Sequence, residues 1–424
     1  MKIKKRQIIT ALLVLFISAA LTFNLTACSA VTMEVEADNI MEGISANDVT
    51  GRNSDERFVT NAADFSIELF KNTVTQGENS LISPLSVLLA LSMTANGADN
   101  NTLAQMETLL GGDIPLDELN EYLYGYVKSL PSEEKARFTI ANSIWFRDDE
   151  NRLTVEKVFL QKNADYYAAD AYKSPFDNQT LEDINSWVKE NTDGMIDKIL
   201  EEIRDDAVMY LINAIVFDAE WETVYNKANV SSGEFTALDG AKQTVDFMWS
   251  EEGVYLEDNR SKGFIKPYAN DNYSLVALLP NEEVGLKDYI ASLTGESFLN
   301  IIKESQDALV SATLPKFSYD YKITMNDALK ELGIPEAFNP TAADFGRLGR
   351  SSRGNIYIGE VLHKTFISVD ELGTKAGAVT KVEMRDEAYV EPKIVKLDRP
   401  FLYAIIDNST SLPVFIGTVS SIEE

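Results

Sequence analysis

Side chains able to do covalent chemistry are scarce in this chain of 424 residues. His363 is its only histidine and Cys28 its only cysteine, so a histidine-based triad or a thiolate nucleophile would have to use one of these two. His363 lies in "VLHKTFISV", a strand-like setting rather than a polar cleft, and no catalytic role is expected of it. No G-x-G-x-x-G, Walker-type loop, G-x-S-x-G, H-E-x-x-H or D-x-D-x-D-G calcium loop occurs. With 67 carboxylates, chance pairs must arise, and no glycosidase-type pair can be singled out. One cysteine also means no disulfide framework and no zinc–thiolate site, and no metal or other cofactor is expected. Whatever the chain does, it does not do through a standard catalytic constellation.

One segment has a pattern of a different kind. In "GTKAGAVTKVEMRDEAY", Gly373 to Tyr389, the residues Thr374, Ala376, Ala378, Thr380, Val382 and Met384 share one face at period two. Lys375, Gly377, Lys381, Glu383 and Arg385 fall on the other, with Val379 as the exception. That is the alternation of a half-buried strand, built from small and β-branched residues and ending in a charged cluster that reads as exposed.

The elements that would position such a segment follow from periodicity. "NAADFSIELFKNTV" puts Phe65, Leu69 and Phe70 on one helical face with Asn61 as a cap candidate. "PLSVLLALSMTANGA" predicts a more buried helix with Pro84 in its first turn and Gly97 at its end. Helical patterns dominate to about Leu200, where "INSWVKENTDGMIDKIL" gives a helix that breaks between Asn191 and Gly194. "VMYLINAIVF", Val208 to Phe217, then reads as a strand buried on both faces. "SLVALLPNE" and "ALVSATLPKFSYDYKI" predict further strands, "MNDALKELGIPEAF" a short helix closed by Gly333, and "PFLYAIIDNSTSLPVFIGTVSS" a hairpin. Helices first and strands later argue for an α+β fold with a large sheet. A 45% apolar chain of this length can bury a large core in one domain or two; with no repeat or internal linker after residue 56, a single domain is preferred.

The start of the chain is separate. Residues 1–27 join a basic opening to an apolar run from Ile8 to Phe23, nearer a signal-peptide core than a membrane span. Leu25-Thr26-Ala27-Cys28 resembles a lipobox, in which Cys28 becomes the lipidated first residue of an exported chain. Anchoring at the cell surface, or release outside the cell, is the expected location. Residues 28–55 are polar and acidic, as expected of a flexible spacer before a domain spanning 56–424. The net charge of −29 argues against nucleic acid and against contact with anionic lipid beyond the anchor. Heparin-type activation is not expected either.

Six segments, in order, together resemble one family, the serpins. They are "NSLISPLSVLLALSMTANGA", "INSWVKENTDGMIDKIL", "LINAIVFDAEW", "LPKFSYDYKITMNDALKELGIPEAF", "HKTFISVDELGTKAGAVT" and "DRPFLYAIIDNSTSLPVFIG". The resemblance implies three β-sheets with about eight or nine helices and an exposed reactive-centre loop, here about 371–392. It further implies a monomer that acts as a suicide substrate for serine proteases, with cysteine proteases a further class. The target cleaves the loop and forms an acyl-enzyme; the severed loop then enters the central sheet as a new strand, and the trapped complex is covalent. Such a strand must present small residues inward and lack proline where ladder amides are needed; the first proline after Gly373 is Pro392. Ten or more inserted residues at roughly 0.5–1.5 kcal/mol net per ladder bond would release on the order of 10 kcal/mol before ordering costs.

Carried over residue by residue, the hinge is Glu371, Gly373, Thr374, Ala376, Gly377 and Ala378, in the inhibitory form. Leu372 and Lys375 depart from the acidic residues common at their positions, outside the small-residue face. Ser83, Ser86, Asn213 and His363 match the shutter beneath the parting strands, a structural and gating role for the lone histidine. Trp221 matches the tryptophan at the top of the sheet, a plain core tryptophan being the other reading. Counting forward from Gly373 puts the scissile bond at Glu387-Ala388, and counting back from Pro400 puts it near Tyr389-Val390. Val382, Met384 and Arg385 are earlier alternatives, and Glu387-Ala388 is preferred. The rival functions are a serpin that is only cleaved or only binds, and a lipid-anchored solute-binding protein or extracytoplasmic enzyme.

Overall fold

The computed structural model describes residues 35–422 except 76, 149–151, 206, 353 and 375–390. One compact unit runs from Glu36 to the C-terminus. Its strands form three sheets, of seven, nine and two strands, an α+β architecture as expected. The central sheet contains β1 (Asp38–Asn39), β2 (Ala136–Arg147), β3 (Asp170–Ser174), β4 (Met209–Glu220), β5 (Phe317–Thr324), β6 (Glu360–Val369) and β7 (Gly373–Thr374), in the spatial order β1-β3-β2-β4-β7-β6-β5. The second sheet is centred on Lys242–Glu257, Ser261–Pro267 and Tyr273–Pro280, and the C-terminal hairpin Phe401–Asp407 with Pro413–Val419 completes its far half. Lys316 alone separates its strand Gln306–Pro315 from β5, so the chain passes from one large sheet to the other there.

Helix α1 (Glu56–Thr73) is capped by Asp55, which accepts the Phe58 amide; the expected cap Asn61 instead lies within the helix and donates to Gly111 O and to Asp113. Asp55 wins because it directly precedes the first helical turn, where free amides need an acceptor. Helix α2 (Pro84–Ala95) begins at Pro84 as expected and is buried at all twelve residues, packing against both β4 and the strand Pro413–Val419. A helix apolar all round is a core helix. The expected dominance of helix to Leu200 fails at β2 and β3. The second half of β2, Asn142 to Phe146, is buried on both faces, so it shows none of the alternation that marks a strand.

Residues 36–55 correct the expectation of a flexible spacer. Asp38 and Asn39 pair with Lys173 and Tyr172, and the Ala37 amide donates to Asp183. Further on, the Asn47 amide donates to Asp165, and Arg52 bonds Glu121 through both its amide and its guanidinium. Ile40, Met41 and Ile44 lie against the core. Each partner is distant in sequence, which is why an acidic, weakly periodic stretch reads as linker. The segment crosses α3 (Leu116–Ser129) at a point where a Cβ on Gly125 would lie 2.0 Å from Arg52 O. Gly125→Ala should therefore lift this crossing, lowering hydrogen-exchange protection of the Arg52 amide about tenfold while α1 and β2 stay protected. Unchanged exchange at Arg52 would show that the crossing does not depend on that close approach.

Candidate functional site

The middle of the central sheet is incompletely paired. At one end β4 and β6 run parallel and pair directly, Tyr210 to Asn213 against Glu360 to His363. At the other end β7 is wedged between them: Gly373 faces Glu220, and Thr374 faces both Ala219 and Val369. Among the described residues no ladder joins 214–218 to 364–368, although β2 and β5 pair with the outer edges of both stretches. The two strands are splayed by two residues of the expected hinge.

Local chemistry makes this wedge. The Asp370 carboxylate accepts the amides of Leu372 and Gly373, and the Asp370 amide donates to Gly373 O, closing a tight turn after β6. A Cβ on Gly373 would lie 2.0 Å from Ala219 O, so glycine alone permits this approach to β4. Glu371 pairs with Lys316 at 3.1 Å, at the crossing between the large sheets. Burial opposes its ionisation, but its own amide and the Lys316 ammonium hold the carboxyl below its usual range. Thr374 is buried, its hydroxyl 2.6 Å from that of Tyr268.

Trp221 is part of this site as well as buried. Its amide donates to Leu372 O at 2.8 Å, its indole N–H donates to Asp370 O at 2.9 Å, and its ring stacks on Tyr268 with centroids 4.5 Å apart. The Tyr225 amide donates to Glu371 O at 2.9 Å. Behind both rings is a buried ion pair, Lys266 to Glu252 at 2.8 Å. Tyr268, Lys266, Glu252 and Lys316 were not singled out from the sequence. The signal for Lys266 was available: it shares a period-two row with Phe264 and Tyr268, where a lysine has no ordinary place.

The expected shutter residues come together at the closed end. The Ser83 amide donates to His363 Nε2 at 3.0 Å, and Ser86 bonds back to Ser83 through its amide and its hydroxyl. Asn213, directly opposite His363 in the parallel ladder, donates to Asn142 of β2. Because His363 Nε2 accepts, the neutral ring carries its proton on Nδ1. Among the described residues that donor and the Asn213 Oδ1 acceptor are both buried without a partner. Ala376, Gly377, Ala378, the reactive-bond residues Val382, Met384, Arg385, Glu387, Ala388, Tyr389 and Val390, and the lipidation residue Cys28 lie outside the described residues.

A central sheet whose middle strands are parted, with Gly373 and Thr374 seated between them, defines the class, and the comparisons name it. The family model described as Serpin (serine protease inhibitor) matches residues 60–422. The chain belongs to the serpin family. An uncharacterised serpin-like protein of Thermococcus kodakarensis is 29% identical over 85% of each chain. Intracellular coagulation inhibitor 2 of Tachypleus tridentatus is 27% identical over 86% of this chain and 91% of its own. Among solved structures, the thermophilic serpin tengpin in its native state is 58% identical, with a TM-score of 0.89 over 92% of this chain and 100% of that one. Tengpin in its latent state gives 0.80 over 88% of this chain and 100% of that one.

Burial pushes the His363 pKa down from 6.5 to about 4. A histidine whose folded pKa is depressed binds fewer protons folded than unfolded between those values. Its stability contribution is therefore intact above about pH 6.5 and is lost as the pH falls to about 4, on the order of 3 kcal/mol in all. His363→Gln keeps an acceptor for the Ser83 amide but cannot titrate. The difference in thermal midpoint between parent and variant should shift in favour of the variant across that window; a difference independent of pH would exclude the assignment.

Proposed function

We propose that the chain inhibits serine-type endopeptidases, and cysteine-type ones as a further class, by acting as a suicide substrate. The protease nucleophile attacks the carbonyl of the scissile bond, the C–N bond breaks, and the new amine leaves with the proton. The ester-linked loop then enters the central sheet before water can release it.

The observation that carries this reading is the register of β7. It is antiparallel to β4 with Thr374 at Ala219, and antiparallel to β6 with Thr374 at Val369. Continued in that register, Ala376 would fall between Phe217 and Ile367, and Ala378 between Ile215 and Thr365. Thr380 would fall between Asn213 and His363. These flanking positions are all buried, so the small residues of the loop meet the inward positions of the gap. The Thr380 hydroxyl would reach the place where an imidazole N–H and an amide oxygen lack partners, able to accept from one and donate to the other. The solution of tengpin in both a native and a latent state supports a fold of this kind having two resting arrangements.

The reading extends to export, with residues 1–27 as a lipoprotein signal and Cys28 as the anchored first residue. Its support is the basic opening, the apolar run and the terminal cysteine in that order. No helix among the described residues is long and apolar enough to cross a membrane. The monomer and the covalent complex belong to the same proposal.

Incubating the full chain with a panel of proteases and separating the products on denaturing gels tests it. An adduct that survives denaturation is expected, with a small C-terminal peptide whose mass identifies the bond. A chain that is only clipped would overturn inhibition in favour of a substrate or binding role. Ala378→Arg would place an unpaired charge between Ile215 and Thr365, both buried, only once the loop has entered. That costs several kcal/mol, and each 1.4 kcal/mol is about tenfold, so the ratio of clipped chain to adduct should rise by about tenfold or more with cleavage itself unimpaired. Adduct yield unchanged by Ala378→Arg would remove insertion from the mechanism.

A further inference from the structure

Lys266 is 1% exposed, in a row with Phe264 and Tyr268 that are fully buried. Its ammonium donates to Glu252 at 2.8 Å and to Thr223 O at 3.3 Å. It also lies 4.4 Å from the ring centroid of Tyr225 and 5.3 Å from that of Trp221. Glu252 in turn accepts the Ser250 hydroxyl at 2.6 Å, and that hydroxyl oxygen is 3.4 Å from the Tyr225 hydroxyl. The partners of the cation thus fall in two groups. Glu252 and Ser250 belong to the strand Lys242–Glu257 of the second sheet, and Trp221, Thr223 and Tyr225 belong to the connection that leaves β4.

That connection holds the root of the loop. Three successive carbonyls, of Asp370, Leu372 and the intervening Glu371, accept from the Trp221 indole, the Trp221 amide and the Tyr225 amide. Among the described residues no hydrogen bond or ion pair joins Lys266 to the root itself; its link to the root runs through two aromatic residues and one carbonyl. An apolar side chain of the same length could fill the space beneath the rings. It could not fix the connection in direction, as an ammonium with several donors and a paired carboxylate can.

We propose that the Lys266–Glu252 pair positions the Trp221–Tyr225 connection, so that Asp370 to Leu372 present Gly373 and Thr374 in register for strand growth. The pair thereby sets how a cleaved chain divides between trapping the protease and releasing it. This rests on the reading that the loop enters the central sheet. Growth from the wedge leaves Gly373 and Thr374 in place and adds residue 375 onward. Each added residue must give up backbone freedom before its ladder is complete, so a fixed starting pair lowers the barrier and a loose one raises it. Deacylation competes with that step, and a slower start gives more released protease per inhibitor consumed. Lys266 is a positioning residue in this scheme, acting through Trp221 and Tyr225.

The test uses the full chain carrying Lys266→Met, Glu252→Gln, or Lys266→Met together with Glu252→Leu. The double variant leaves no unpaired charge buried, so a fold weakened by a lone charge is recovered in it. Two quantities are read. One is the number of inhibitor molecules consumed per protease trapped. The other is the rate of the tryptophan fluorescence change after the loop is clipped by a metalloprotease, which forms no acyl-enzyme. All three variants should insert the clipped loop about tenfold more slowly and consume correspondingly more inhibitor, with the cleavage rate unchanged. The double variant should regain the parental thermal midpoint but not the parental insertion rate. Insertion at the parental rate in all three, or a double variant that recovers both rate and stability, overturns the proposal. If the parent traps no protease but the variants still insert a clipped loop slowly, inhibition falls and the positioning role stands. If the parent traps protease and the variants insert at its rate, the positioning role alone falls.

Discussion

The rest of the structure depends on a ladder that is left unmade. Strands β4 and β6 pair over four residues at one end and are held apart by Gly373 and Thr374 at the other. Between these zones, among the described residues, each strand pairs its backbone on the outer side only, although backbone groups in a sheet interior are ordinarily paired on both. Such an arrangement lasts only if the remainder of the molecule is secure without it. Here that security comes from the fully buried helix α2 and the nine-stranded second sheet, with apolar side chains such as Leu275, Leu278, Phe401 and Leu402 fully excluded from water. The unpaired edges are a local reserve of free energy on a frame that does not need them.

The polar groups around the gap are arranged for this reserve rather than against it. Buried donors and acceptors normally find partners, yet among the described residues His363 Nδ1 and Asn213 Oδ1 have none, on residues that are register partners in the ladder. At the opposite end the root of the loop is over-determined by an Asp370 turn, an indole, two amides and an aromatic stack. Placing an ion pair behind that stack is costly in itself. Removing one partner of a buried pair typically costs about 3–5 kcal/mol, and an apolar replacement of both is often neutral or better. Its presence under Trp221 and Tyr225 is easier to understand as orientation than as stability.

What was legible in the sequence were features with local causes. Pro84 at the start of α2, the apolar run of β4 and the hairpin turn after Asp407 each carry their own signal within a few residues. The strand pairing of Gly373 and Thr374 was legible for the same reason, since an alternation of small residues needs no partner to be seen. The failures were non-local. Residues 36–55 are ordered by Asp183, Asp165 and Glu121, none within sixty residues of the amides they bind. Strand β2 is a strand because β4 pairs with it along its length, and its doubly buried half has no periodic signature. Asn61 had the residue type of a cap, but the geometry of the first turn chose Asp55. Lys266 was a single discordant residue in an apolar row, which a search for motifs passes over.

The register also bears on where the loop must be cut. If growth continued from Thr374 at Ala219, each step along the loop would move one residue back along β4, and Met384 would come opposite Met209, the first residue of that strand. Loop residues as far as Val379 would fill the gap without breaking any existing pair. From Thr380 to Glu383 they would displace the four-residue parallel ladder and pair with both of its strands, a net gain in ladder bonds. A scissile bond at Val382 or Met384 would leave the attached protease within the span of the sheet, with strand growth stopped before the far edge. Arg385 would leave a single residue to clear it. A bond after Glu387 or Tyr389 would place the ester beyond the last paired residue, so that the strand could complete before the protease met the body of the inhibitor. On the proposed mechanism the length of β4 therefore favours the two later bonds, after Glu387 and after Tyr389, over the earlier ones without separating the two.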